Sequence, residues 1–386
     1  MLKSLAVQNY RSLRDLVVPL ERVNVVTGPN GAGKSNLYRA LRLLAATARG
    51  EIVGQLAREG GLPATLWAGP ETISRDMKAG RVPIQGTVRK GSVSLKLGFA
   101  SDDFGYSIDL GLAPDPLAGF ALDPVIKREC IWSGEKFRPA SLLVDRRGPA
   151  LRATDETGAW RMVPVELSGF DSMMTEFLDV HTAPEMVLLR SRMRSWRFYD
   201  HFRTDLDAPA RKPQVGTYTP VLGHEGADLA AALQTIAAMG DRNLLAQVID
   251  DAFPGARIEV GTDGGRFELL FRQPGMLRPL SAAELSDGTL RYLLLVAALL
   301  SPRPPELLVL NEPETSLHPD LVPALARLIG QASSAAQVIV VTHDETLTSH
   351  LAAEFDLNHI RLDKDSGETI ADIDLLRRPP WAWPPR

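Results

Sequence analysis

A lysine and a serine closing a glycine-rich octet carry the clearest chemistry in this chain. Residues 28–35 read Gly28-Pro29-Asn30-Gly31-Ala32-Gly33-Lys34-Ser35. This fits G-x-x-x-x-G-K-[ST], a loop whose glycines let backbone N–H groups wrap around phosphate oxygens. In such a loop Lys34 reaches the terminal phosphates and the Ser35 hydroxyl sits on a divalent cation. Far downstream, Asn311-Glu312-Pro313-Glu314 follows a short apolar run. A carboxylate there has the chemistry to polarise a water against a phosphate. Thr342-His343 ends another apolar run in the same way.

Each of these groups needs an element to hold it. Arg22–Val26 reads as a buried strand entering the loop, and Leu37, Ala40, Leu41, Leu44 and Ala45 recur at helical spacing after it. Strand, loop and helix N-terminus together form an anion site, because unpaired N–H groups and the helix dipole face the phosphates. Glu306–Leu310 and Gln337–Val341 are the apolar runs of parallel strands buried on both faces. In open α/β sheets, ligands bind at the C-terminal edges of such strands, where Glu312 and His343 fall.

Upstream of both runs, Leu285-Ser286-Asp287-Gly288-Thr289 opens an apolar helix through Leu300, and Thr315-Ser316-Leu317-His318-Pro319 follows the first carboxylate strand. This order of motifs resembles the ATPase heads of the ABC class, and within it the RecF/SMC/OLD-like branch of bacterial AAA-type ATPases. Val7-Gln8-Asn9-Tyr10-Arg11-Ser12-Leu13 resembles that branch's opening strand. The resemblance spans Met1 to about residue 345. It implies an α/β P-loop NTPase fold: a mixed central sheet flanked by helices, an antiparallel β subdomain and an inserted α+β lid. It implies ATP and Mg²⁺ as cofactors, bound by Asn30, Gly31, Ala32, Gly33, Lys34, Ser35 and Asn36, with Arg11 nearby. Glu312 would be the catalytic carboxylate and His343 the switch histidine sensing the γ-phosphate. Ser286 and Gly288 would contact ATP held by the other subunit, and Ser316 to His318 would line the seam of an ATP-dependent homodimer.

One position departs from the family pattern, which usually places Asp before the catalytic Glu to orient a water on Mg²⁺. Here the residue is Asn311. Its amide oxygen still accepts a hydrogen bond, but a full negative charge near the metal is gone. Two consequences stand side by side: weaker Mg²⁺ binding with slow hydrolysis and a long-lived ATP dimer, or a variant without kinetic effect.

Composition sets the outer limits. The 386 residues are 45% hydrophobic, with mean hydropathy near zero, so the chain has ample material for a core. Neither a signal-peptide core nor a membrane-length apolar stretch is present; a cytoplasmic location without membrane contact is expected. Cys130 is the single cysteine and is expected to pack in the core. A net charge of −4 does not advertise nucleic-acid binding, so any DNA contact must come from a local patch. The candidate is Arg190-Ser191-Arg192-Met193-Arg194-Ser195-Trp196-Arg197, followed by Phe198 and Tyr199, where guanidiniums and rings suit phosphates and bases. The competing reading is a solvated face paired with Asp200, Asp205 and Asp207.

The motifs divide the chain into 1–50 (first part of the head), 51–274 (insertion), 275–365 (rest of the head) and 366–386 (tail). Gly60-Gly61-Leu62-Pro63, Ala113-Pro114-Asp115-Pro116 and the lack of heptads favour a compact lid over coiled-coil arms. Ser92–Gly111 reads as strands joined at Asp102-Asp103, Asp228–Ala238 as a helix, and Arg377–Arg386 as an extended end that is either loose or clasps a neighbour. Three functions fit: an ATPase acting in DNA repair, genome maintenance or phage defence; an ATP-driven dimerisation switch that recruits an effector protein with little turnover; or an ATPase fused to a nuclease. The last needs a C-terminal metal domain of about 100 residues, and too little chain follows His343, so a nuclease would be a separate partner.

Overall fold

The computed structural model describes residues 1–70, 75–78, 81, 94–113, 120–374 and 377–386. Ser92 and the Pro114-Asp115-Pro116 stretch lie outside them. The chain forms two compact units: Met1–Glu21, Val26–Trp196 and His359–Arg386 make the first, and Arg22–Val25 with Arg197–Asn358 make the second. The chain passes from one unit to the other at Glu21/Arg22, Val25/Val26, Trp196/Arg197 and Asn358/His359.

The first unit is built on an eight-stranded sheet. Its order is Leu13–Pro19, Leu2–Tyr10, Leu95–Ser101, Phe104–Gly111, Val125–Ser133, Leu142–Arg147, Ala150–Thr154 and Trp160–Glu166. Every pairing is antiparallel. The expected turn at Asp102-Asp103 joins two of these strands. Tyr106, Trp132, Phe99 and Trp196 are fully buried in this unit, with Phe99 and Trp196 edge-on at 5.3 Å. Cys130 is buried as well, and burial pushes its thiol up to about 12. The Lys34–Thr47 helix buries Leu37, Ala40, Leu41, Leu44 and Ala45, the residues whose spacing predicted it. A hairpin of Asn358–Asp365 and Glu368–Asp372 follows late in the chain, so a strand occupies residues 368–372 of the segment read as a tail.

The second unit holds the parallel strands. Arg197–Tyr199, Leu307–Asn311 and Gln337–Val341 pair in that order, and Arg22–Val25 run beside the last, with Val338 N–H donating to the Arg22 carbonyl at 2.9 Å. Leu307–Leu310 and Gln337–Val341 are entirely buried, which explains their unbroken apolar runs. The Asp287–Leu299 helix is buried from Leu290 to Leu299 and packs in one apolar core with the Leu229–Met239 and Val322–Ser333 helices.

Candidate functional site

The phosphate loop belongs to the first unit. Val23–Val26 are buried and deliver the chain to Gly28 at the edge of the strand. Gly28 (φ 147°) and Gly33 (φ 109°) take backbone angles that disfavour side chains. A Cβ on Gly28 would lie 2.3 Å from the Leu362 carbonyl oxygen, and one on Gly33 would lie 2.2 Å from Thr369 Oγ1. The Lys34 side chain is buried against its own loop, its ammonium donating to the Gly28 carbonyl at 2.6 Å and the Pro29 carbonyl at 3.3 Å. Asn30, Gly31 and Ser35 are exposed. The helix that starts at Lys34 has neither an acidic residue in its first turn nor a side-chain cap. Its leading N–H groups therefore form a positive pole that no carboxylate of the first turn offsets. A cradle shaped by two obligatory glycines, a seated ammonium and an exposed hydroxyl fits a magnesium-bound phosphate chain.

A directed hydrogen-bond chain braces this loop. Asn36 Nδ2 donates to Ser12 Oγ (2.8 Å), Ser12 Oγ pairs with Thr369 Oγ1 (2.7 Å), and Thr369 Oγ1 donates to the Ala32 carbonyl (2.8 Å). With Thr369 spending its proton on Ala32, the Ser12 hydroxyl is the donor in the middle bond. Asn36 is thus turned to Ser12. Arg11, in a left-handed conformation (φ 50°), grips Glu59 through Nη2 at 2.7 Å and Nε at 3.1 Å, and the Tyr10 hydroxyl donates to the same carboxylate at 2.8 Å. Burial foremost, with Glu59 adding to it, drives the Tyr10 phenol well above its ordinary range. Sequence reasoning missed Ser12, Glu59 and Thr369, whose partners are distant in the chain.

The second unit gathers the downstream motifs. Glu312 follows the Leu307–Asn311 strand with φ 48°, a conformation that costs a non-glycine residue on the order of 1–3 kcal/mol. Three bonds to its backbone hold it there: its N–H donates to the Val341 carbonyl (2.7 Å), and its carbonyl accepts from Arg291 Nη2 (3.0 Å) and from Thr315 N–H (3.1 Å). His343 Nδ1 lies 3.5 Å from Glu312 Oε1 and 3.9 Å from Glu314 Oε1. Glu312 and His343 remain about half exposed, whereas the Glu314 side chain is only 5% exposed. Glu314 Oε1 accepts from Thr342 Oγ1 at 2.5 Å, while Oε2 is buried with no partner among the described residues. Burial raises the Glu314 carboxyl above its usual range, although the Thr342 bond and His343 act the other way. Burial likewise lowers the Arg291 guanidinium. Neither Glu314 nor Arg291 stands out in the sequence as a site residue.

Ser286 caps the Asp287–Leu299 helix, its Oγ accepting from Thr289 N–H at 3.2 Å. Gly288 abuts the Ser316 carbonyl, where an added Cβ would sit at 3.0 Å, so the two motifs expected at one seam are neighbours within the unit. Arg211 fixes this corner from beneath. Its buried guanidinium donates to the Leu285 carbonyl (2.7 Å), the Ala282 carbonyl (3.0 Å) and Asp287 Oδ1 (2.7 Å).

The basic stretch is corrected. Trp196, Phe198 and Tyr199 are 2%, 4% and 3% exposed and serve the cores, so they offer no stacking surface for bases. Of the acidic residues expected to neutralise it, Asp205 pairs with Arg203 (2.8 Å) and Asp207 lies 3.9 Å from Lys212. Arg192 instead bonds Asp103 at 2.8 Å.

Comparison with known proteins gives three results. Residues 23–349 match the family described as "AAA domain, putative AbiEii toxin, Type IV TA system". An OLD nuclease of Thermus scotoductus is 48% identical over 44 residues, 11% of this chain; the chain covers only 8% of that protein's length. Solved structures of SMC heads are similar at low identity. The SMC head bound to the C-winged helix domain of ScpA has 13% identity and a TM-score of 0.49, covering 97% of this chain and 99% of that one. The SMC head domain from Thermotoga maritima has 16% identity and a TM-score of 0.43, with 96% and 97% covered. The SMC head with an extended coiled coil, bound to the C-terminal domain of ScpA derived from Pyrococcus furiosus, has 12% identity and a TM-score of 0.48, with 96% and 95% covered.

Proposed function

The chain belongs to that AAA-domain family, and from this premise we propose that it binds and slowly hydrolyses Mg-ATP as an ABC-type head that dimerises around the nucleotide. The observation that carries the reading is the cradle formed by Gly28, Gly33 and Lys34, whose ammonium already rests on the loop carbonyls. Backbone N–H groups at the start of the Lys34–Thr47 helix would receive phosphate oxygens, and Lys34 would turn from the Gly28 carbonyl to the terminal phosphates. Ser35 and Asn311 would hold magnesium, which supplies charge neutralisation on the phosphates when bound. Glu312 would accept a proton from the attacking water, and His343, 3.5 Å from it, would hold its carboxylate in place. Ser286 and Gly288 would meet the nucleotide held by a second copy.

The setting we infer is DNA repair, genome maintenance, phage defence or a toxin–antitoxin pair, with DNA and a separate effector protein as partners. The family description and the short OLD nuclease match support this setting. A second reading is favoured by Asn311: ATP closes the dimer, turnover is negligible, and the closed state recruits the effector.

Lys34→Ala tests the proposal. Nucleotide affinity should fall about 10- to 150-fold, the equivalent of the roughly 1.5–3 kcal/mol of a hydrogen bond to a charged group. Unchanged nucleotide affinity by calorimetry would contradict it.

A further inference from the structure

Residues 379–386, Pro379-Pro380-Trp381-Ala382-Trp383-Pro384-Pro385-Arg386, lie against the eight-stranded sheet of the first unit without joining it as a strand. The sequence allowed a loose end or a clasp here; the structure shows a fitted one. Trp381 packs edge-on against Trp132 (5.7 Å between centroids) and Trp383 edge-on against Trp381 (5.1 Å). Gly98 leaves the room this requires, since a Cβ there would stand 2.8 Å from the Trp381 ring. The Lys96 ammonium lies 5.8 Å from the Trp383 ring centre. Arg386 forks onto Asp109 at 2.7 and 2.8 Å, and Arg128 donates to the Pro385 carbonyl.

The fit is selective but incomplete. The indole N–H groups of Trp132, Trp381 and Trp383 are buried without a partner among the described residues. Each such orphan costs about 1–3 kcal/mol, which makes the seat easier to leave than its aromatic contacts suggest.

We propose that this groove is a docking site for a Trp-x-Trp-Pro-Pro-Arg segment, and that a second copy of the chain supplies the segment by exchange. The contacts are the same whichever copy provides it, so local concentration and linker reach decide the outcome. The linker from the end of the Glu368–Asp372 strand to Trp381, residues 373–380, reaches roughly 26–29 Å when extended.

Reciprocal charge reversal in the full chain, without nucleotide, tests this. Asp109→Arg and Arg386→Asp each set like charges against one another within a single copy. In a mixture, exchange pairs the introduced arginine with the introduced aspartate and native Asp109 with native Arg386. Each variant alone should run at the 42.1 kDa of one copy, and the mixture at twice that mass. A mixture that stays at single-copy mass overturns the exchange. A labelled peptide of residues 379–386 provides a readout that does not need the Asp109 variant to fold. It should bind the Arg386→Asp chain at least ten-fold more tightly than the unsubstituted chain, and absence of binding to that folded variant overturns the docking site.

Discussion

Asn311 and Glu314 bracket the proposed catalytic carboxylate: an amide where the family resemblance leads one to expect a charge, and a carboxylate withdrawn from water. The first bears on magnesium. Restoring a carboxylate with Asn311→Asp should lower the metal concentration needed for half-maximal phosphate release by about ten-fold, the scale of 1.4 kcal/mol. Unchanged metal demand in a titration of turnover would show that the amide has no kinetic consequence. The second bears on stability. Burial raises the Glu314 carboxyl, so its protonated form fits the fold better than its charged form. Its contribution to stability is therefore greatest below the ordinary carboxyl value of 4.5 and is lost as pH rises through the raised one. Glu314→Gln should gain in melting temperature relative to the parent as pH climbs from about 4 to 7, where thermal melts would find it. A difference that is flat or falls with pH contradicts this assignment.

Among the elements, the helix capped by Ser286 is anchored by one distant residue. Arg211 satisfies the Ala282 and Leu285 carbonyls ahead of the helix and pairs with Asp287 in its first turn. Arg211→Ala leaves the Leu285 carbonyl buried and unpaired and the Ala282 carbonyl with only the 3.4 Å bond from Leu285 N–H, and we expect a loss of about 2–4 kcal/mol in unfolding free energy. We also expect weakened nucleotide-driven dimerisation, with ATP affinity of the single copy preserved. Parallel loss of affinity and dimerisation would mean that Arg211 supports the fold and nothing more specific. Local patterning made the principal elements legible. Leu307–Leu310 and Gln337–Val341 are buried on both faces and so read as apolar runs, and the Leu229–Met239 helix starts one residue past the Asp228 expected. Arg197–Tyr199 escaped because three residues carry no period, and its neighbouring arginines made the stretch look like surface. The seat of the Trp381–Trp383 clasp escaped because Trp132 and Asp109 lie more than 200 residues away and proline-rich composition says only that no helix forms.

At the scale of the whole molecule, the two compact units divide the chemistry. The first carries the phosphate loop with its Asn36–Ser12–Thr369 brace; the second carries Glu312, His343 and the Ser286 corner. The loop could be read from eight consecutive residues because anion binding by backbone groups is local. Its bracing by Thr369 could not, since that residue is more than 300 positions further on. No helix among the described residues is long and apolar enough to cross a membrane. The proposed activity couples nucleotide to assembly, so both should be followed together. The decisive measurement is the mass of the chain in solution with and without Mg-ATP, with phosphate release recorded on the same samples. The account predicts that Mg-ATP raises the share of dimer above its nucleotide-free level, and that this added dimer decays with slow release of phosphate. A chain that stays at 42.1 kDa and binds no ATP would contradict it.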